Sequence, residues 1–67
     1  MTTDELAQTF IDMGFDAVAM VSMVIVSLDR RLYAYEVELA MERAELPDFK
    51  VIQAINAVVV VVNEELA

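Results

Sequence analysis

Asp16-Ala17-Val18-Ala19-Met20-Val21-Ser22-Met23-Val24-Ile25-Val26-Ser27-Leu28-Asp29-Arg30-Arg31-Leu32-Tyr33-Ala34-Tyr35-Glu36-Val37-Glu38-Leu39 can be read with two different periods. Between Gly14 and Pro47 there is neither glycine nor proline, so no local signal stops a helix. Val18, Val21, Ile25, Leu28, Leu32, Tyr35, Leu39 and Leu46 fall on alternating steps of three and four, missing only at Glu42. That is the a/d spacing of a coiled-coil seam. Ser22, Asp29, Glu36 and Arg43 flank it on one side, and Val24, Arg31, Glu38 and Glu45 on the other, mostly polar lines in the e and g positions. The rival period is two. Residues 17–28 are rich in β-branched side chains, and residues 33–39 alternate, so together they could make a β-hairpin turning near Asp29-Arg30. That turn lacks the Asn-Gly, Asp-Gly or Gly-X chemistry of short hairpins. The helical reading is therefore the one carried forward, with a helix over residues 16–46 that a break near 30–34 would divide in two.

The flanks extend it. Thr2-Thr3-Asp4-Glu5 has the form of a capping box, with Thr2 as N-cap and Glu5 three residues on. Leu6, Phe10 and Met13 follow at helical spacing, and Gly14 stands where a left-handed C-cap residue belongs. The first helix is expected over residues 3–13. On the other side, Leu46-Pro47-Asp48 ends the long segment, because the residue before proline is pushed out of the α region. Val51, Ile52, Ile55, Val58, Val59, Val62 and Leu66 then give an apolar helical face, so a third helix is expected over 48–66. Valine is a poor helix former, and strand is the alternative for the run at 58–62. Glu64 and Glu65 would oppose the dipole at that helix's C-terminal end.

The expected fold is thus all-α: a single domain, a helical hairpin or three-helix unit with one long central helix. The three helices would be roughly 16, 45 and 28 Å long at 1.5 Å per residue. The short ones, folded back, cover one side of the long one. Met20, Met23, Val26, Tyr33, Val37 and Met41 remain on its other side, and Val60 and Val61 point away from the core face of the third helix. An apolar surplus of that kind marks an interface. Met20, Met23, Val26, Tyr33, Val37, Val60 and Val61 are the expected contact residues of a dimer or larger helical bundle. No internal repeat, linker or low-complexity segment stands out beyond the valine run.

Composition narrows the chemistry. In 67 residues there is no Cys and no His, so no disulfide can form, and the sulfur and imidazole ligands that zinc favours are missing. No metal and no cofactor is expected. A domain this small buries only about 60% of its unfolded surface and is usually stapled by a disulfide, a metal or a partner chain. A hydrophobic fraction of 60% leaves association or an unusually apolar core. The net charge of −8, with only Arg30, Arg31, Arg43 and Lys50 to set against twelve acids, argues against nucleic-acid binding. Solubility of an oily molecule, or a basic protein partner, accounts for the acid. The acidic start is unlike a signal peptide, and the longest apolar run is too short to span a bilayer. The chain is expected not to be transmembrane, and a cytoplasmic location is favoured.

Catalytic groups are scarce. Ser–His and Cys–His pairs are excluded, and one glycine makes no phosphate loop. Ser22 and Ser27 lie in the apolar segment with no base beside them, where backbone hydrogen bonding is their ordinary role. The carboxylates Asp12, Asp16, Glu36, Glu38, Glu42 and Glu45 read as a solvated face, since carboxylate metal bundles also use histidine. Tyr33 and Tyr35, two apart, would point in different directions on a helix. Met13, Met20, Met23 and Met41 suit either a core or an adaptable surface.

Short stretches resemble known families. Residues 9–18, Thr9-Phe10-Ile11-Asp12-Met13-Gly14-Phe15-Asp16-Ala17-Val18, with Val21 and Met23, resemble the region around the attachment serine of acyl carrier proteins. Ala17 stands where that family has the serine, so a phosphopantetheine arm is not implied. Met13-Gly14-Phe15 resembles the loop of ubiquitin-associated domains, and residues 37–42 their third helix. Asp16-Ala17 with Val21-Ser22 and Val24, followed by a second apolar segment, resembles gas-vesicle shell proteins, which implies a β-hairpin between helices. The function expected from the residues is non-catalytic: a structural or protein-interaction protein that self-associates through apolar helix faces. A small acidic carrier-like or adaptor module docking a basic protein is the alternative.

Overall fold

The computed structural model describes residues 2–27 and 32–62. Its elements run α1 (Thr3–Asp12), β1 (Asp16–Ala19), β2 (Met23–Ser27), α2 (Ala34–Arg43), β3 (Lys50–Gln53) and β4 (Val58–Val61). The strands form one antiparallel sheet in the order β1-β2-β4-β3. The fold is therefore α/β, and the all-α helical bundle or coiled coil is overturned.

The first helix is where the capping signals placed it. Thr2 N–H donates to Glu5 Oε1 at 2.8 Å and Glu5 N–H to Thr2 Oγ1 at 3.1 Å, closing the capping box. At the other end Gly14 has φ 98°, Gly14 N–H reaches the Ile11 carbonyl and Phe15 N–H the Phe10 carbonyl, both at 3.0 Å. These are the two bonds of a Schellman motif. Its apolar clasp is an edge-to-face contact of Phe10 and Phe15, ring centroids 5.9 Å apart.

The long helix over 16–46 does not form. Residues 17–27 are a hairpin, as the rival period allowed, but its tip is Val21-Ser22, with Met20 N–H bonded to the Met23 carbonyl at 2.8 Å. The alternating residues 33–39 are not its second strand: they open α2. Tyr33 lies outside that helix in extended backbone, which lets its ring stack on Tyr35 at 5.6 Å. The third helix is replaced by β3 and β4, joined by an equally short tip, Ile55-Asn56, with Ala54 N–H on the Ala57 carbonyl at 2.9 Å. Of the other expectations, Leu28, the turn at Asp29-Arg30, and Glu64, Glu65 and Leu66 lie outside the described residues.

The reason is visible along the ladders. Period two separates Ala17, Ala19, Val24, Val26, Val51, Val58 and Val60 onto one face, which packs against Leu6 and Phe10 of α1 and Val37 and Met41 of α2. Val24, Val26, Val58 and Val60 are fully buried there. Branching at Cβ makes these side chains fit a pleated surface better than a helix. Four of the seven described seam residues are exposed: Val21 at 98%, Tyr35 at 66%, Val18 at 60% and Leu39 at 45%.

The chain also repeats itself, which composition concealed. A step of 34 residues carries the pair Val18↔Ile25 onto Ile52↔Val59, and Ala17↔Val26 onto Val51↔Val60. The same step joins the tips Val21-Ser22 and Ile55-Asn56. Ile25 pairs with Val59, its own counterpart, so an approximate two-fold axis runs through the centre of the sheet. The helix ends repeat as well. Leu46 N–H bonds the Met41 carbonyl at 3.0 Å and Glu45 N–H the Glu42 carbonyl at 3.1 Å, a second Schellman motif with Glu45 in the glycine position at φ 57°. The extra residues Pro47-Asp48-Phe49 put helices and strands out of step with one another.

Candidate functional site: the open face of the sheet

Both helices lie on one side of the sheet, so strand residues of the opposite parity face away from them. Across the middle run Val18, Ile25, Val59 and Ile52, one from each strand and each in register with the next. Beside them lie Met23, Val61 and Lys50, also in register. At the opposite end Asp16 faces Ser27. Val18 and Ile52, on the edge strands, are 60% and 42% exposed, while Met23, Ile25, Val59 and Val61 are half-buried by their neighbours. The surface is a hydrocarbon centre with polar groups at its corners, the arrangement of core and rim seen in protein interfaces. Its charges among the described residues, Asp16 and Lys50, stand at diagonally opposite corners and are counterparts under the 34-residue step.

The helix layer is different in kind. Asp4, Glu5, Asp12, Glu38 and Glu42 are exposed on it, with Glu45 and Asp48 just beyond α2. A hollow between α2 and β3 has Met41, Leu46, Phe49 and Val51 as its floor and Glu38, Glu42 and Asp48 on its rim. A second, between the end of α1 and α2, is lined by Met13, Phe15, Tyr35, Leu39, Ala40, Glu36 and Arg43. Among the described residues no group of three or more carboxylates converges as a metal site, and no helix is long and apolar enough to cross a membrane.

The Glu5 carboxylate is perturbed. The Thr2 backbone N–H, and after it the Thr2 hydroxyl, hold Glu5 below the usual glutamate range. Hydrogen bonds to the charged form act in that direction. This belongs to the helix cap and not to a reactive centre.

The residues singled out from sequence are divided between the layers. Met23 and Val61 lie together on the open face, and Met20 is half-exposed at the hairpin beside it. Tyr33 is exposed at the start of α2. Val26, Val37 and Val60 are fully buried in the core. The helical period missed Val18, Ile25, Ile52 and Val59 as a surface, although period two over 16–27 and 50–61 carries all four. It also missed that Asp16 stands opposite Ser27. Ser22 lies in a turn, its carbonyl accepting the Val62 N–H at 2.8 Å.

No protein-family model, curated protein or solved structure matches this chain.

Proposed function

We propose that this chain works by contact and not by catalysis, as a self-associating structural or protein-interaction protein whose contact surface is the open face of the sheet. The observation that carries the reading is the unbroken row Val18–Ile25–Val59–Ile52, apolar on all four strands and covered by no described element. Contiguous apolar surface on a small chain marks an interaction site. The hydrophobic effect supplies the affinity and is little altered by moderate salt, unlike attraction between exposed charges. Light scattering behind size exclusion, over a concentration series at low and high salt, tests it. A mass above the monomer that rises with concentration and ignores salt supports the reading; a monomer throughout overturns self-association.

A second reading has its own observation, the carboxylates Glu38, Glu42 and Asp48 around the apolar floor between α2 and β3. That hollow suits a basic side chain of a partner protein, with its stem on Phe49 and Val51. Binding there would weaken as ionic strength rises.

A further inference from the structure

We infer that the open face is closed by a second copy of this chain, stacked sheet on sheet, with Ile25 and Val59 at the centre of the contact. The inference rests on the proposed self-association and names the surface and the occupant. Three observations select a second copy.

The first is the pattern of β2 and β4. Met23-Val24-Ile25-Val26 and Val58-Val59-Val60-Val61 are apolar at every position, not at alternate ones. Continuous apolar strands belong to sheets covered on both faces. In the single chain the helices cover only one, and the unmatched half, Met23, Ile25, Val59 and Val61, lies together in the two central strands.

The second is charge. A chain of net −8 meets its own kind most easily where it carries no net charge. Among the described residues the open face has one carboxylate, Asp16, and one ammonium, Lys50, both at corners. The exposed acids of α1 and α2 lie on the other side of the sheet. Stacking open face to open face turns both acidic layers outward, whereas contact through the helices would set acid against acid. A strongly basic partner would be drawn to the helices instead.

The third is the internal two-fold. Because Val18 and Ile52, and Ile25 and Val59, are counterparts, a half-turn leaves the central apolar row nearly unchanged while exchanging Asp16 with Lys50, so a facing copy meets the same hydrocarbon centre in either orientation. The alternative contact, edge to edge, is poorly served. β1 and β3 are four residues each, with Asp16 on one and Lys50 on the other, and short, charged edges resist pairing.

The strands measure the contact. At ~4.8 Å between strands and ~3.4 Å per residue, the face is roughly 19 by 15 Å, about 300 Å² a side, which is below the standard size of specific interfaces and in the range of weak, transient ones. The dimer is therefore in exchange with the monomer.

The test combines sedimentation velocity on the wild type and on the double variant Val18→Lys, Ile52→Lys with intermolecular methyl NOEs in a mixed-isotope wild-type sample. Both substituted side chains are exposed on edge strands, so far-ultraviolet circular dichroism should be unchanged. The expected result is a wild-type dimer with NOEs from Ile25 and Ile52 to valine methyls of the other copy, and a dissociation constant raised at least tenfold in the variant. If the variant misfolds, the wild-type NOEs decide alone. A dimer that survives both substitutions and shows no NOE at Ile25 overturns the stacking and leaves self-association standing. A wild-type monomer at every concentration overturns both.

Discussion

Val60 and Val61 are neighbours in the chain and lie on opposite faces of the sheet: Val60 is fully buried beneath the helices against Val24 and Val51, whereas Val61 is half-buried between Met23 and Lys50. A helical valine run would have placed both away from the core. Single substitutions by Lys separate the two arrangements. Val60→Lys buries an unpaired charge and should unfold the chain, since removing even a neutral buried side chain costs about 2–5 kcal/mol. Val61→Lys should leave the thermal midpoint within a few degrees and weaken association. Equal behaviour of the two variants would contradict the register of β4.

Glu45 holds a left-handed backbone at the end of α2, where Gly14 does the same for α1. The left-handed region costs an L-residue roughly 1–2 kcal/mol that glycine escapes, partly offset by glycine's freedom in the unfolded chain. Glu45→Gly should stabilise by about 1 kcal/mol, raising the midpoint by roughly 4–8 °C for a domain of this size. Gly14→Ala should destabilise by a similar amount even though no atom lies within 4 Å of an added Cβ, because the penalty is conformational. A thermal melt that moved the other way for either variant would show that these helix ends are not held as described.

Gln53 ties the start of α2 to the sheet. Its Oε1 accepts the Ala34 N–H at 2.6 Å, and its Nε2 donates to the carbonyls of Leu32 and Ala54 at 2.9 and 2.8 Å. Each such bond contributes about 0.5–1.5 kcal/mol net. Gln53→Leu should therefore destabilise by about 1–3 kcal/mol and speed hydrogen exchange at the Ala34 amide more than at the amides of α1. Uniform acceleration everywhere would mean only a global loss of stability.

Glu5 gives the chain an acid-sensitive end. Its folded pKa lies below the ordinary value of 4.5, so its contribution is complete above that value and is lost as pH falls through the lowered one. In an NMR titration the Thr2 and Glu5 amide shifts should move together with a midpoint below 4.5. Thr2→Ala, which removes the hydroxyl and keeps the backbone N–H, should bring the Glu5 midpoint only part of the way back up. A midpoint at or above the ordinary value in the wild type would exclude the closed box.

The parts legible in the sequence were those governed by local chemistry. Thr2, Glu5 and Gly14 specify the limits of α1 through bonds to atoms within a few residues. The rest was misread for a physical reason. When most side chains are apolar, steps of three and four can be traced through a strand as readily as through a helix. Val18, Val21, Ile25 and Leu39 were so traced, yet Val21 sits at a hairpin tip. The tips gave little warning, because Val21-Ser22 and Ile55-Asn56 turn without any residue at positive φ, unlike the Asn-Gly and Gly-X turns that sequence rules recognise. What did carry information was side-chain branching: Val24-Ile25-Val26 and the run of valines from Val58 favour a pleated strand on their own account. The repeat is concealed in the sequence because its halves share hydrophobicity more than identity, with Asp16 answering to Lys50 and Gly14 to Glu45.

Among the described strands, the pairing of β2 with β4 is the one ladder that no short turn closes. Hairpins such as β1–β2 and β3–β4 form in about 1–10 μs, but Ile25 can meet Val59 only after the intervening half of the chain has been brought round. Ordering that distant contact should make it the slow step of folding. Shortening Ile25 to Val should thus lower the refolding rate, whereas shortening Ile52, paired within its own hairpin, should chiefly hasten unfolding. The repeat gives this small chain two hairpins expected to assemble quickly and one seam expected to set the speed of folding.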